Sequence, residues 1–212
     1  MSRGLRVAVA LGAALSLTSV LVATGGDAFD RVARTLHPAA PLPVLGRVPA
    51  FRLVDQRGEP YSDQAMRGRV SVVDFIFTRC TSSCPRLTAR MADLQARLRR
   101  QADVRFVSFS VDPENDTPAV LAAYASRAGA DPARWTFVTG PLDDVEAAAV
   151  LGFKVSAAKI AKGADDYDVV HGDWFVLVDR AGQLRGYYPT DDPRDLDAVV
   201  DAAKRLEAED AR

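Results

Sequence analysis

The stretch VSVVDFIFTRCTSSCPRL, residues 70–87, decides the fold of this chain. Its first half, Val70–Phe77, is rich in β-branched and aromatic residues, which predicts a buried strand. Apolar residues then recur at helical spacing through residues 87–98, with Arg and Gln between them. The stretch therefore predicts a strand, a short loop and a helix, with Cys80 and Cys84 at the junction.

Cys80 and Cys84 are the only two cysteines among the 212 residues. Their sulfurs are expected near the first turn of the helix, where backbone N–H groups favour a thiolate over a thiol. Such a pair is typical of a site for a soft cation or of a redox-active dithiol. The alternative is a structural disulfide, but closing so short a loop stabilises a fold by only about 2 kcal/mol. We therefore expect a functional pair.

The N-terminus predicts where these thiols are located. Arg3 and Arg6 precede the apolar run Val7–Gly26, which contains no charged residue. This pattern fits either a secretory signal peptide or a single membrane anchor within residues 1–30. An excess of positive charge before such a segment stays in the cytoplasm. We therefore expect an extracytoplasmic protein, in the periplasm or on the outer face of the cytoplasmic membrane.

Length and charge limit the remaining possibilities. Residues 31–49 contain a proline-bearing spacer, and about 160 residues follow it, enough for one hydrophobic core at 50–208. The formal net charge is −1. Because no basic surface is evident, we expect no nucleic-acid partner.

The rest of the chain alternates predicted strands and helices, after a hairpin formed by Phe51–Leu53 and a turn at 56–60. Thr117 is expected to cap a helix that Pro118 opens. Strands are predicted at Val104–Val111, Trp135–Thr139, Trp174–Val178 and Leu184–Tyr188, and further helices at Pro141–Leu151 and Asp192–Ala208. This order predicts an α/β protein, a thioredoxin-like three-layer α/β/α sandwich with a mixed central sheet and an N-terminal hairpin. In such a fold, chemistry is expected at the carboxyl end of a strand, where the cysteines lie.

Four runs of the sequence resemble the Sco/SenC family, over residues 45–208. They are FTRCTSSCP (77–85), VDPENDTPAVLAAYA (111–125), RWTFVTG (134–140) and VHGDWFVLVDRAGQLRGYY (170–188). Members of that family are membrane-tethered or exported copper chaperones of thioredoxin-like fold, which assist assembly of the binuclear copper site of cytochrome c oxidase. The resemblance implies copper bound by Cys80, Cys84 and His171. It also implies the copper-site subunit of the oxidase as partner, with other copper chaperones or thiol reductants as further partners.

The chain departs from the family pattern in two places. The residue before the family's metal-binding histidine is commonly Asp, whereas this chain has Val170. The segment between the cysteines is TSS rather than the commoner proline-acidic arrangement. Carboxylates that could substitute for the missing aspartate lie nearby, at Asp165, Asp166, Asp168 and Asp173.

The chemistry of the donor atoms favours copper independently of the family resemblance. Cu(I) prefers thiolate and accepts imidazole, so two sulfurs and one nitrogen suit a trigonal site, whereas zinc usually takes a fourth ligand. Cu(II) is the alternative oxidation state, with Asp166, Asp168 or Asp173 as added ligands. A lone histidine is otherwise often a hydrogen-bonded residue at the edge of a sheet. We favour a ligand role for His171 because of the resemblance, and a solvated linker role for His37.

Several other residues suggest chemistry but have a simpler interpretation. Met91 is in register with the apolar face of its helix and is expected in the core. The carboxylates of DPEND, residues 112–116, are expected to serve a turn and a helix start. We expect Trp135 and Trp174 to be buried, and either a core or a partner-facing position for Tyr187 and Tyr188.

The second hypothesis belongs to another functional class. In a thiol–disulfide oxidoreductase or thiol peroxidase, Cys80 and Cys84 would shuttle electrons without a metal. Thioredoxin-like oxidoreductases use CxxC and a cis-proline before the late strand, whereas this chain has CxxxC and no proline between Pro141 and Pro189. We therefore expect a metal-binding protein rather than a conventional enzyme. The two roles are compatible, because a dithiol must be reduced before it can take Cu(I). A redox sensor is a third alternative.

Overall fold

The protein is represented by a computed structural model that describes residues 40–155, 157–161, 167–171, 173–192 and 194–209. The predicted leader, most of the spacer with His37, and the pair Asp165 and Asp166 lie outside the described residues. Within the described ranges, no helix is both long enough and apolar enough to cross a membrane.

The secondary structure follows the alternation that the sequence predicts. The strands are β1 (Gly46–Arg47), β2 (Arg52–Asp55), β3 (Pro60–Ser62), β4 (Val70–Ile76), β5 (Val104–Ser110), β6 (Trp135–Thr139), β7 (Ala157–Ala161), β8 (Tyr167–His171), β9 (Trp174–Val178) and β10 (Gln183–Pro189). The helices are α1 (Asp63–Met66), α2 (Cys84–Arg97), α3 (Pro118–Arg127), α4 (Leu142–Glu146), which continues into a π-helical segment (Ala147–Gly152), and α5 (Asp195–Glu209).

In the part of the chain that the structure describes, eight strands form one sheet in the order β1-β10-β9-β4-β5-β6-β2-β3. Strands β4, β5 and β6 are parallel to one another, and β9 is antiparallel to β4. Strands β2 and β3 form the predicted N-terminal hairpin. Every residue of β4 is buried, as its near-continuous apolar sequence predicts. The mixed sheet and its central β4 confirm the predicted fold class.

Helices cover both faces of this sheet. Because parallel crossovers are right-handed, α2 and α3 lie on the same face, and α5 packs against α2 there. The ring of Tyr124 on α3 meets that of Phe137 at 6.0 Å between centroids. On the opposite face, Phe153 follows the π-helical segment and contacts Phe75 and Phe109, with centroids 5.4 and 5.3 Å apart. The result is a three-layer sandwich.

The predicted helix Pro141–Leu151 changes its hydrogen-bonding pattern in the middle. The backbone N–H of Phe153 donates to the carbonyl of Ala148 at 2.9 Å, five residues back, instead of four. Phe153 belongs to the aromatic cluster around Phe75. The π-helical turn therefore directly precedes the residue whose ring packs into the core. Helical periodicity alone does not reveal such a turn.

The structure also tests the predictions of a helix cap and of the burial of individual side chains. The Thr117 cap is confirmed, because the backbone N–H of Val120 donates to Thr117 Oγ1 at 3.4 Å. Met91 and Trp135 are buried as predicted. The prediction that Trp174 is buried is wrong, since 41% of this residue is exposed. Trp174 opens β9 and pairs with the last residue of β10, at an end of the sheet where the core no longer covers it. Tyr187 and Tyr188 are partly buried against the core.

Candidate metal centre

The two cysteines lie where the central strand of the sheet turns into a helix. Cys80 follows the end of β4, and Cys84 is the first residue of α2. Cys80 is 8% exposed and Cys84 is fully buried. Neither sulfur is part of a disulfide. The structure thus brings the two predicted sulfur donors together at the carboxyl end of β4.

The sulfur of Cys80 sits in a polar environment made by the loop itself. The backbone N–H of Cys84 donates to Cys80 Sγ at 3.3 Å, and Ser82 Oγ lies 3.5 Å from the same sulfur. The N–H groups of a first helical turn have no partner within the helix, so they are available to an anion. Burial alone would raise the pKa of Cys80, but these hydrogen bonds outweigh it and hold the pKa below its usual value.

The sulfur of Cys84 has the opposite tendency. Burial raises the pKa of this thiol, and the nearby negative groups Cys80 and Asp74 raise it further. A hydrogen bond from the backbone of Phe77 opposes the rise only in part. The two sulfurs therefore differ: Cys80 is the one that forms a thiolate first, and Cys84 retains its proton longer as pH rises.

A buried carboxylate holds the loop that carries Cys80. Asp116 is fully buried and accepts three hydrogen bonds, from Thr78 N at 3.0 Å, Thr78 Oγ1 at 2.5 Å and Ser110 Oγ at 2.6 Å. Its neighbour Asp112 pairs with Arg79 at 3.2 Å. The prediction that the DPEND carboxylates serve only a turn and a helix start is thus incomplete. They also fix the residues just before Cys80.

Asp74 is a second buried carboxylate, which sequence reasoning missed. It lies in β4, is fully buried, and has no hydrogen-bond partner for either carboxylate oxygen among the described residues. Burial raises the pKa of Asp74 to about 7. The signal was present as a single acid inside the apolar run VSVVDFIF.

Tyr124 lies on the same side of the sheet and completes the surroundings of Cys84. Its hydroxyl is 2.7 Å from Thr88 Oγ1, which joins α3 to α2. Burial raises the pKa of Tyr124 to about 12, although Thr88 lowers it in part. Tyr124 adds to the buried surroundings of Cys84, and burial is the main cause that keeps this thiol protonated.

The predicted third donor, His171, ends β8. This strand pairs with β7 in a separate two-stranded sheet, with His171 opposite Ala157. The side chain of His171 lies outside what the structure describes, so its role as a ligand stays a prediction. Among the side chains that are described, no cluster of three or more His, Cys, Asp or Glu residues could hold a metal.

The structure describes two of the predicted auxiliary carboxylates, Asp168 and Asp173, to different extents. Asp168 lies in β8, where only its backbone is described. Asp173 Oδ2 accepts a hydrogen bond from Arg86 Nη2 at 2.8 Å. Asp173 is therefore occupied by an ion pair with the cysteine-bearing helix α2, an arrangement that the sequence did not predict.

Comparison with known proteins identifies relatives of this chain. The family model described as SCO1/SenC matches residues 45–206. A SCO1 protein homolog of Bacillus subtilis is 35% identical over 164 residues, which span 76% of this chain and 83% of that protein.

Two solved structures extend the comparison. BsSco, described as a member of the Sco family of cytochrome c oxidase assembly proteins with a disulfide switch, has 34% identity and a TM-score of 0.68. The similarity covers 79% of this chain and 97% of that one. Bradyrhizobium japonicum ScoI with copper bound has 26% identity and a TM-score of 0.64, over 76% of this chain and 99% of that one. With a family model that matches most of the sequence, a thioredoxin-like fold and two cysteines at the end of β4, this chain belongs to the SCO1/SenC family.

Proposed function

We propose that this protein is an extracytoplasmic copper chaperone, which binds Cu(I) through Cys80, Cys84 and His171 and delivers it for assembly of the copper site of cytochrome c oxidase. The observation that carries the proposal is the pair of cysteines at the end of β4, with Cys80 Sγ held by a helix N–H. The copper bound to Bradyrhizobium japonicum ScoI and the oxidase-assembly role of the BsSco family support it.

The donor set fits Cu(I). Thiolate sulfur is the soft ligand that this ion prefers, and an imidazole can complete a three-coordinate site. A first sulfur with a lowered pKa can take the ion, and the ion would then displace the proton of the buried Cys84, which is released to the solvent. Because a proton is released on binding, Cu(I) affinity is expected to rise with pH.

A three-ligand site suits delivery better than storage. An acceptor protein can add its own ligand to an open coordination shell before any bond to the donor breaks. The predicted N-terminal segment would hold this site on the outer side of the membrane, facing the copper-site subunit of the oxidase. Other copper chaperones or thiol reductants would supply the ion or keep the thiols reduced.

Oxidation is expected to switch copper binding off. A disulfide between Cys80 and Cys84 would leave no thiolate to donate to the metal. The disulfide switch described for BsSco supports this part of the proposal. The oxidised and reduced forms of the protein should therefore differ in Cu(I) uptake, and equal uptake by both forms would contradict the proposed gating.

A thiol–disulfide oxidoreductase is the second candidate function. The observation that favours it is the asymmetry of the two thiols, with a lowered pKa at Cys80 and a raised pKa at the fully buried Cys84. A reactive outer thiol and a buried resolving thiol are what disulfide exchange requires. In this case copper would be dispensable and His171 would have no essential role.

The decisive experiment is a Cu(I) titration of the reduced full-length chain against a chromophoric competitor. We expect one Cu(I) per chain and a loss of affinity of about 100-fold or more for Cys80→Ser, Cys84→Ser and His171→Ala. His37→Ala is the matched control and should bind as the wild type does. Retention of wild-type affinity in both cysteine variants would sink the proposal.

Complementation separates the two candidate functions in the cell. A deletion strain should lose oxidase activity at low copper and regain part of it when copper is in excess. A His171→Ala protein should fail to restore activity at low copper. If it restores full activity while both cysteines remain essential, the oxidoreductase function replaces the chaperone.

A further inference from the structure

An arginine joins the cysteine-bearing helix to the segment that follows His171. Arg86 lies in α2, two residues after Cys84, and its Nη2 donates to Asp173 Oδ2 at 2.8 Å. Asp173 comes two residues after His171 in the sequence. The contact therefore connects the neighbourhoods of two proposed ligands that are 87 residues apart in the chain.

Residue 173 is held from a second direction by the end of β10. The backbone N–H and the hydroxyl of Thr190 donate to the carbonyl of Asp173 at 3.0 and 2.9 Å. On α2, Arg90 Nη2 donates to the carbonyl of Asp191 at 2.8 Å. The chain that leaves β8 is thus fixed both to α2 and to β10 at Asp173, immediately before β9 begins.

These contacts contribute more to geometry than to stability. The Arg86 side chain is 48% exposed, and ion pairs that water can screen contribute little to the free energy of folding. Asp173 Oδ1 and Arg90 Nη1 are buried with no hydrogen-bond partner in the described part of the protein, which offsets part of any gain. What the network does supply is a fixed separation between α2 and residue 173.

We propose that Arg86 and Asp173 form a clasp that positions His171 relative to Cys84, so that Arg86 is a positioning residue for the third copper ligand. The inference rests on the proposed function, because it takes His171 as a ligand. Partners that orient metal ligands typically change metal affinity by about 10- to 100-fold when they are removed.

The test is the Cu(I) affinity of the reduced full-length chain carrying Arg86→Gln or Asp173→Asn. Each variant should bind about 10- to 100-fold more weakly than the wild type. The charge-reversed pair Arg86→Asp with Asp173→Arg should recover part of the loss, which would show that the ion pair matters rather than either side chain alone. Arg97→Gln is the matched control, since Arg97 lies on the same helix but pairs with Asp93 and Asp197.

X-ray absorption of the copper-loaded variants identifies the ligand that is lost. In Arg86→Gln we expect both sulfur scatterers to remain and the nitrogen scatterer to weaken. Introduced into His171→Ala, Arg86→Gln should cause no further loss of affinity, because the ligand that it positions is gone.

The outcomes separate this inference from the proposed function. If His171→Ala itself binds copper as the wild type does, the proposed ligand set fails and the clasp inference fails with it. If His171→Ala weakens binding while Arg86→Gln and Asp173→Asn do not, only the clasp is overturned. A loss in Arg86→Gln that persists in the His171→Ala background would also overturn it.

Discussion

The loop that carries the two cysteines and the strand that ends at His171 are attached to the protein in different ways. The cysteine loop, residues 77–84, leaves the central strand β4 and is held by the fully buried carboxylate of Asp116. Strand β8 pairs with β7 outside the main sheet, and residue 173 beyond it is held by the half-exposed pair of Arg86 and Asp173 and by two hydrogen bonds from Thr190 to its carbonyl. The loop of the two sulfurs is thus fixed by buried contacts, whereas the described ties of the predicted third ligand lie two residues beyond it and include a half-exposed ion pair.

This difference suits a protein that must both hold and release a metal. The proposed sulfur ligands would keep their positions in the absence of copper, since these positions depend on the core. The proposed third ligand lies on a strand outside the main sheet and would be the first to leave during the proposed transfer. The comparison predicts that substitutions around the cysteines change the free energy of unfolding strongly, whereas those around residue 173 change it little.

The largest effect is expected at Asp74, on the strand that leads to the cysteine loop. Its pKa of about 7 in the folded state lies above the value of 3.8 for a free aspartate. The folded protein therefore binds the proton more tightly, so the stability associated with the protonated form is lost as pH rises from about 4 to 7. Relative to the wild type, Asp74→Asn should gain stability over this range by on the order of 4 kcal/mol.

Denaturant unfolding of Asp74→Asn and wild type at pH 4 to 8 measures this gain. Asp93→Asn, a change at an exposed position on α2, is the control and should keep the wild-type pH dependence. If the free energy of unfolding of Asp74→Asn depends on pH as that of the wild type does, the raised pKa of the buried Asp74 is contradicted.

The next largest effect is expected at Asp116. Replacement by Ala removes the acceptor for two donors of Thr78 and for the Ser110 hydroxyl. Because buried hydrogen bonds to a charged group are lost together, Asp116→Ala should lower the free energy of unfolding by about 3 kcal/mol. Urea denaturation measures this loss. The matched comparison is Asp173→Asn, which changes a carboxylate in the segment that follows β8. Equal losses in the two variants would remove the distinction between the two attachments.

A smaller effect is expected in the reactivity of the two thiols. The pKa of Cys80 is lowered and that of Cys84 is raised, and Cys80 is the more exposed of the two. In the reduced protein, Cys80 should react with iodoacetamide at least about 10-fold faster, which corresponds to about 1.4 kcal/mol in activation free energy. Mass spectrometry of timed samples measures both rates. Similar rates at the two positions would contradict the asymmetry.

The smallest effect on stability is expected at Arg86. Exposed ion pairs contribute about 1 kcal/mol or less, so Arg86→Gln should shift the free energy of unfolding by no more than that. Urea denaturation measures the free energy of unfolding of Arg86→Gln, with Arg97→Gln as the control on the same helix. A loss above about 2 kcal/mol would mean that the segment after His171 is attached as firmly as the cysteine loop.

The sequence predicts the part of the site that is contiguous in the chain. The run from Val70 to Leu87 specifies a strand, a loop and a helix by local periodicity, so the position of both cysteines follows from it. Contacts between distant segments leave no such trace. Asp116 reaches Thr78 across 38 residues and Arg86 reaches Asp173 across 87, and neither pairing is encoded in a local pattern.

Burial is predicted less well than secondary structure, for a related reason. Trp174 stands in an apolar strand, yet it is 41% exposed because β9 begins where the core ends. Asp74 shows the converse, an acid that is fully buried because it occupies the middle of β4. In both cases burial follows the position of the residue along its strand, at the first residue of β9 for Trp174 and in the middle of β4 for Asp74.

X-ray absorption of the reduced, Cu(I)-loaded full-length protein tests the central claim most directly. Two sulfur scatterers and one nitrogen scatterer are expected in the wild type and in His37→Ala, and the nitrogen should disappear in His171→Ala. Fewer than two sulfurs in the wild type, or an unchanged nitrogen in His171→Ala, would contradict the assignment of Cys80, Cys84 and His171 as the copper ligands.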